Sequence, residues 1–440
     1  MHELEFYSMV DATYLWFPPA DDRESIGIDL SNSAYDPDLG QRVYDRVLAS
    51  TRKAEELGFD GALIFEQHNH PLALFGNALT GAAWLAGETE GIRIAAVGPI
   101  ANAYLSPVRL AEEIALVDMV SGGRLTVGLP VGIGVQYHAQ GVTNPAHARS
   151  RYREAVALLH RIWTEDGPFA WEGDHFHIPY VNVWPKPRQQ PHPPVFIPAA
   201  GSRESLELAA KYGFTYQAIL VPRPVLLRNC ETFRELCRQS GYEADPKQIT
   251  AVLEVHVSES DREAQREIEH HELWGVQNVF RFPFHESFPP GHVSMASLRG
   301  MMAGGYRSSD PSKLTWKEMI DSGSVIAGSP ETVRERLAEV TGEMGAGRVI
   351  VTEPWSAPTW LQHKSITLLA EEVMPHFRPK GDGRAVWQRE PRAGYRTATE
   401  FVARAPRYAG MPVVNTPDGR RLELYGEDGL TTNPMEEAQP

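Results

Sequence analysis

Eight short apolar runs recur along the chain, starting near residues 4, 61, 92, 125, 195, 214, 249 and 348, and each is followed by a helical pattern. That alternation constrains the fold more than any other feature. Parallel strands need helical crossovers, and eight such units close into a barrel. An open doubly wound sheet is the alternative, but no glycine-rich dinucleotide fingerprint follows the first strand. The expected fold class is therefore α/β, a (β/α)8 TIM barrel over residues 1–378.

The punctuation agrees with this reading. Asp36-Pro37 opens a helix whose Leu39, Val43 and Val47 repeat every four residues, and Leu57-Gly58 closes it. Ser106-Pro107 opens another, which ends at Ser121-Gly122-Gly123. Helices are predicted over 147–163, 202–212, 224–239, 261–273, 330–344 and 359–374. Two connections are too long to be plain loops. Residues 167–194 carry a hairpin pattern at Phe169–Phe176 and a proline-rich return. Residues 275–324, after the seventh strand, hold Phe280, Phe282, Phe284 and Phe288. An aromatic insertion on the face built by βα loops reads as a lid over an apolar site, or as an excursion packed on its own barrel. Residues 379–440 lack regular patterns and are expected to form an extended C-terminal arm, disordered at its end.

Charge and composition exclude several function classes. Lys+Arg is 42 against Asp+Glu 57, a net charge of -15, and no basic patch interrupts it. Nucleic acid and anionic membrane are thus not expected partners. No apolar run is long enough to span a bilayer, and the acidic start Met1–Phe6 does not read as a secretory signal. The two cysteines, Cys230 and Cys237, lie seven apart in a predicted helix, too far apart for a disulfide, and fit buried thiols in a reducing cytoplasm.

Three strand ends carry chemistry. The second ends in Glu66-Gln67-His68-Asn69-His70. Two imidazoles two apart suggest a metal, but the ends of strands three, four and five (Gly98-Pro99, Gly128-Leu129-Pro130, Pro198-Ala199-Ala200) supply no further ligand, so no metal is expected. The fifth strand runs into Ala200-Gly201-Ser202-Arg203-Glu204-Ser205 at a helix start. Free amides, the dipole and two hydroxyls make a phosphate cradle, with Gly201 allowing close approach, or simply a capped helix. At Gly98-Pro99 an X–Pro bond offers a site for a cis bend, or for an ordinary trans turn.

Over roughly residues 4–375 the chain resembles the bacterial luciferase-like flavin-dependent monooxygenases. The segments that carry the resemblance are Leu105–Glu112, Asp118–Arg124, Arg151-Tyr152 through Trp163, Pro168–Phe176 and Val325–Val333, in that order. The resemblance implies reduced FMN supplied by a separate NAD(P)H:flavin reductase, and oxygenation of a small apolar or aromatic substrate. It implies a cis peptide at Gly98-Pro99 beneath the flavin ring. It implies cofactor contacts from Gly98, Pro99, Asn102, Gly128, Tyr152, Ala200, Gly201, Ser202 and Ser205. His68 is the acid/base candidate it leaves, or a residue that only orients its neighbours, with Gln67 beside it where the family often has histidine. Gln67 cannot shuttle a proton, so light emission is not expected. An F420-dependent hydride-transfer enzyme on the same barrel is the alternative. A homo-oligomer, dimer or higher, in the cytoplasm completes the expectation.

Overall fold

The computed structural model describes residues 2–17, 25–141, 144–219, 223–279, 283–293, 315–323 and 325–378, positions 295 and 299, and two short strands beyond residue 400. The chain divides into two compact units, Met1–Ala398 and Thr399–Pro440.

The first unit is a closed barrel. Strands β1 (Glu5–Met9), β2 (Gly61–Phe65), β3 (Arg93–Val97) and β4 (Leu125–Gly128) pair in parallel. A hairpin of β5 (Phe169–Glu172) and β6 (His177–Val181) stands outside the ring, as the sequence pattern predicts. The ring continues with β7 (Val195–Ala199), β8 (Thr215–Ala218), the long β9 (Ile249–Val257) and, after β10 (Val325–Gly328), β11 (Arg348–Thr352). β4 pairs with β7, β8 with β9, β9 with β11, and β11 with β1. Every predicted barrel strand is present, and the open sheet is excluded. β10 was not among the predicted strands. Among the described residues it pairs with Glu254–Val257, the end of β9.

Helices α1 (Pro37–Glu56), α2 (Ala78–Gly87), α3 (Pro107–Val120), α4 (Gly134–Ala139) and α5 (Pro145–Thr164) belong to the first half of the barrel. α6 (Arg203–Tyr212), α7 (Arg223–Gln239), α8 (Asp261–Asn278), α9 (Phe284–Ser287), α10 (Trp316–Ser322), α11 (Pro330–Met344) and α12 (Thr359–Leu368) follow. The caps are those expected from local sequence. The Asp36 carboxylate accepts from the amides of Asp38 and Leu39, and Pro37 takes the first helical position.

Two apolar layers result. Alternate strand residues point inward, where Tyr7, Leu63, Ala95, Val97, Phe196 and Ile350 fill the barrel. The other strand faces meet the helices in the larger core. The N-terminal rim is held by Glu5. Its carboxylate lies 2.7 Å from Arg348, 2.8 Å from Lys247 and 3.7 Å from Arg93. Burial opposes that charge, but the cations, Arg348 first, hold the carboxyl well below its usual range.

The insertion after the seventh barrel strand starts later than the sequence suggests. α8 runs on to Asn278, so Gly275 lies inside a helix, against the Trp355 ring. The side chains of Phe280, Phe282 and Phe284 lie outside the described residues. So does nearly all of the expected arm. Its described part is an antiparallel pair, β12 (Val413–Asn415) with β13 (Arg421–Glu423), where no regular structure was expected. Both cysteines are free and buried. Among the described residues, no helix is long and apolar enough to cross a membrane.

Candidate active site

β2 delivers Glu66, Gln67 and His68 to the C-terminal rim of the barrel. His68 is buried, and its Nε2 lies 3.0 Å from Glu66 Oε1. The other Glu66 oxygen accepts the amide of Ala78, the first residue of α2, at 2.8 Å. Burial pushes the Glu66 carboxyl above its usual range, against the lowering pull of the His68 and Ala78 bonds. Gln140 Nε2 stands 3.3 Å from His68 Nδ1 and 3.2 Å from Nε2. With Nε2–H donated to Glu66, Nδ1 is left as the acceptor nitrogen, beside the Gln140 amide. Gln67 Oε1 accepts from Gln136 Nε2 at 2.7 Å, which leaves the Gln67 amide N–H groups as its remaining donors. Gln136 of α4 and Gln140, which caps it, lie four residues, about one turn, apart. The sequence reading contained neither α4 nor Glu66 in this role.

At the end of β3 one expectation is corrected. The Gly98-Pro99 bond is trans; the cis X–Pro bonds lie at Pro168, Pro185 and Pro191. The bend is made by Gly98 itself, at φ +138°. A Cβ there would come 2.3 Å from Glu66 Cβ and 2.7 Å from its backbone nitrogen. Glycine thus lets β3 pass beside the carboxylate that orients His68. Gly128 accepts the Gly98 amide at 3.1 Å, and a Cβ on it would strike Val97. Asn102 is fully buried and donates to the carbonyl of Ala148 at 3.3 Å; its Oδ1 has no hydrogen-bond partner among the described residues. Tyr152 is buried and donates to the carbonyl of Leu129 at 2.6 Å.

At the end of β7, Ser202 caps α6. Its Oγ accepts the Ser205 amide at 3.4 Å and lies 2.8 Å from Ser205 Oγ. Gly201 has φ +99°, and the space its Cβ would need holds the Asn229 side chain, which donates to the carbonyl of Ala200. Packing against α7 thus leaves no room for a Cβ at Gly201, where the sequence offers either close anion approach or a plain helix cap. α5 adds two cations that the sequence reading missed. Arg149 Nη1 is 3.3 Å from Ser202 Oγ and 3.2 Å from Glu204 Oε2, and Arg153 reaches the same carboxylate at 3.6 Å. Their i, i+4 spacing was the available signal. Two guanidiniums, two hydroxyls and a helix start form a donor set that fits a phosphate, with Glu204 as the present counter-ion. Glu204 is half exposed and can give way.

The described part of the insertion bridges this rim. Ser25, in the β1–α1 loop, donates to Glu286 at 2.6 Å. Farther on, the His292 ring stacks on Tyr137, with Nδ1 3.0 Å from the phenol oxygen. On the β9 side, His256 lies 2.9 Å from Glu267 and 3.4 Å from Glu353. Nearby, Glu272 is buried, and burial and Glu254 push its carboxyl well up.

The chain is similar to known proteins across this architecture. It is 25% identical over 343 residues to 4-hydroxyprotoasukamycin monooxygenase of Streptomyces nodosus subsp. asukaensis, covering 75% of this chain and 85% of that one. It is 24% identical over 335 residues to the F420-dependent glucose-6-phosphate dehydrogenase of Kineococcus radiotolerans, covering 74% and 91%. The fold matches the oxygenating constituent of 3,6-diketocamphane monooxygenase of Pseudomonas putida, solved in complex with FMN, with a TM-score of 0.62 at 20% identity, over 86% of this chain and all of that one. The family model for luciferase-like monooxygenases matches residues 27–347, which take in His68, Tyr152 and Ser202 as well as six of the eight ring strands, and the chain belongs to that family.

Proposed function

We propose that the protein is a flavin-dependent monooxygenase that receives reduced FMN from a separate NAD(P)H:flavin reductase. One atom of O2 enters a small apolar or aromatic molecule and the other leaves as water. The observation that carries this reading is the pair of features at the ends of β2 and β7 on one barrel rim. One is a phosphate-fitting donor set at α5 and α6; the other is a carboxylate-oriented imidazole at the end of β2. When bound, the reduced flavin supplies the two electrons and the centre at which O2 is activated.

The chain's own residues bind, orient and move protons. Arg149, Arg153, Ser202 and Ser205 hold the phosphate. Gln67, fixed through its carbonyl by Gln136, offers amide donors to the ring. His68, fixed at Nε2–H by Glu66, takes or gives a proton at Nδ1. The insertion segment around His292 excludes water from this side of the rim.

An F420-dependent hydride transfer is the second reading, since an F420-dependent relative shares the barrel. Its cofactor has a long polyanionic tail. Here Arg149 and Arg153 share Glu204, and Arg203 is paired with Glu207 at 2.7 Å. Cations already paired in this way favour a single phosphate. Titration with FMN and with F420, each in both oxidation states, tests the choice. Micromolar FMN binding, with reduced FMN and air adding one oxygen atom to the product mass, is the expected result. F420 turnover without O2 uptake would replace this reading with the second.

A further inference from the structure

A pocket of about 600 Å³ opens beside the rim, between the β1–α1 and β2–α2 loops. That volume suits an organic ligand of ordinary size. Tyr14, Phe17, Tyr35 and Leu74 supply much of the wall, with Asn69 and His70 at one side. The described lining contains no Asp, Glu, Lys or Arg, in a chain that is 22% charged. His70 is the imidazole of that lining, and burial pushes it down to about 4, so it is uncharged at pH 7.

The aromatic walls present rings. The Tyr14 hydroxyl is already engaged: it donates to the carbonyl of Ala34 at 3.2 Å and accepts the Asp36 amide at 3.0 Å. The Tyr14 and Tyr35 rings lie 5.2 Å apart, and Tyr35 and Ile28 are exposed at the mouth. Asn69 is the only non-glycine residue with positive φ among the described residues, at +63°. That turn puts His70 in the pocket wall two residues after His68.

The pocket also lies away from the phosphate-fitting donor set. In the ring order β1-β2-β3-β4-β7-β8-β9-β11, β7 is four places from β1 and three from β2. A cofactor gripped at α6 therefore enters from the opposite side of the barrel. The pocket is left for a second molecule.

We propose that this pocket binds the organic substrate and that it selects an uncharged aromatic or alicyclic molecule. The inference rests on the monooxygenase reading and adds the substrate's place and class. An ionised ligand would lose its hydration and find no counter-charge among the described lining residues. A ring packs against the exposed Tyr35 and against Phe17, and Asn69 serves one polar substituent.

The test uses the full chain and two fluorescent probes that share an aromatic frame, neutral N-phenyl-1-naphthylamine and anionic 8-anilinonaphthalene-1-sulfonate. The neutral probe is expected to bind saturably, at least about tenfold tighter than the anion. Leu74→Trp fills the pocket. Ile28→Asp charges its exposed mouth without touching the core. Each is expected to weaken the neutral probe about tenfold or more while FMN binding, read by flavin fluorescence, is unchanged. Equal binding of both probes, or no effect of Ile28→Asp and of folded Leu74→Trp, overturns the proposal. So does one-for-one displacement of the probe by FMN, which would make this the flavin-ring site. If FMN fails to bind while the neutral probe binds and responds to both variants, the monooxygenase reading falls and the ligand pocket stands.

Discussion

Arg149 donates from Nε to the backbone carbonyl of His292 at 2.7 Å, so one side chain joins the insertion after the seventh barrel strand to the cap of α6. Lysine keeps the charge but lacks the divergent fork. Arg149→Lys is expected to weaken FMN binding on the order of tenfold and to speed amide exchange over residues 284–292. Arg153→Lys, which alters only the shared Glu204 pair, is expected to weaken FMN binding while leaving that exchange unchanged. Hydrogen-exchange mass spectrometry with flavin titration checks both.

The insertion should also loosen in acid. Burial holds the His292 imidazole down to about 4, against an ordinary 6.5. The docked state therefore resists a proton that the released state accepts. Docking is fully stable above about pH 6.5 and weakens as pH falls toward 4, by about 2–3 kcal/mol at most. His292→Gln cannot titrate, so its melting temperature should fall less than the wild type's between pH 7.5 and 5.

Gly98→Ala should be severely destabilising. Alanine is disfavoured at φ +138°, and its methyl would meet Glu66 at the backbone. A loss of about 2–4 kcal/mol is expected from strain and displacement together. The midpoint of urea unfolding measures it, and a change under about 1 kcal/mol would show that β2 and β3 separate easily.

Arg378 and Asp60 form a buried pair at 2.6 Å, and Arg378 also donates to the Gly58 carbonyl at 3.0 Å. Asp60 in turn accepts the Phe6 amide at 2.7 Å. Arg378→Met strands a buried carboxylate and is expected to cost about 3–5 kcal/mol. Adding Asp60→Asn should recover part of that loss in thermal unfolding.

Glu66→Gln tests the orientation of His68. The amide can still accept from His68 Nε2–H, but its NH2 then faces the Ala78 amide, donor against donor. A fall of about 10- to 100-fold in turnover is expected, with FMN affinity nearly unchanged. Single-turnover oxidation of bound reduced FMN reads the step directly.

Much of the architecture was legible in the chain. Apolar runs of strand length between helix-period segments marked all eight ring strands, because burial on both faces imposes that pattern locally. The caps at Asp36 and Ser202 and the hairpin before β7 were legible for the same reason: their hydrogen bonds close within a few residues. β10 was not legible because its described partner is the extended end of a distant strand, β9.

The chain alone therefore determined the barrel, the order of its elements and the rim positions of Gln67, His68 and Ser202. Tertiary structure decided what those residues meet. Glu66 grips His68 only because α2 returns an amide to it. Gly98 must lack a Cβ because Glu66, just after β2, crowds it, and Gly201 makes room for Asn229 on the next helix. Arg149 reaches the cap of α6 and the insertion together. Each such contact joins segments far apart in sequence, and closing those loops depends on the packing of the whole barrel, which no local window encodes.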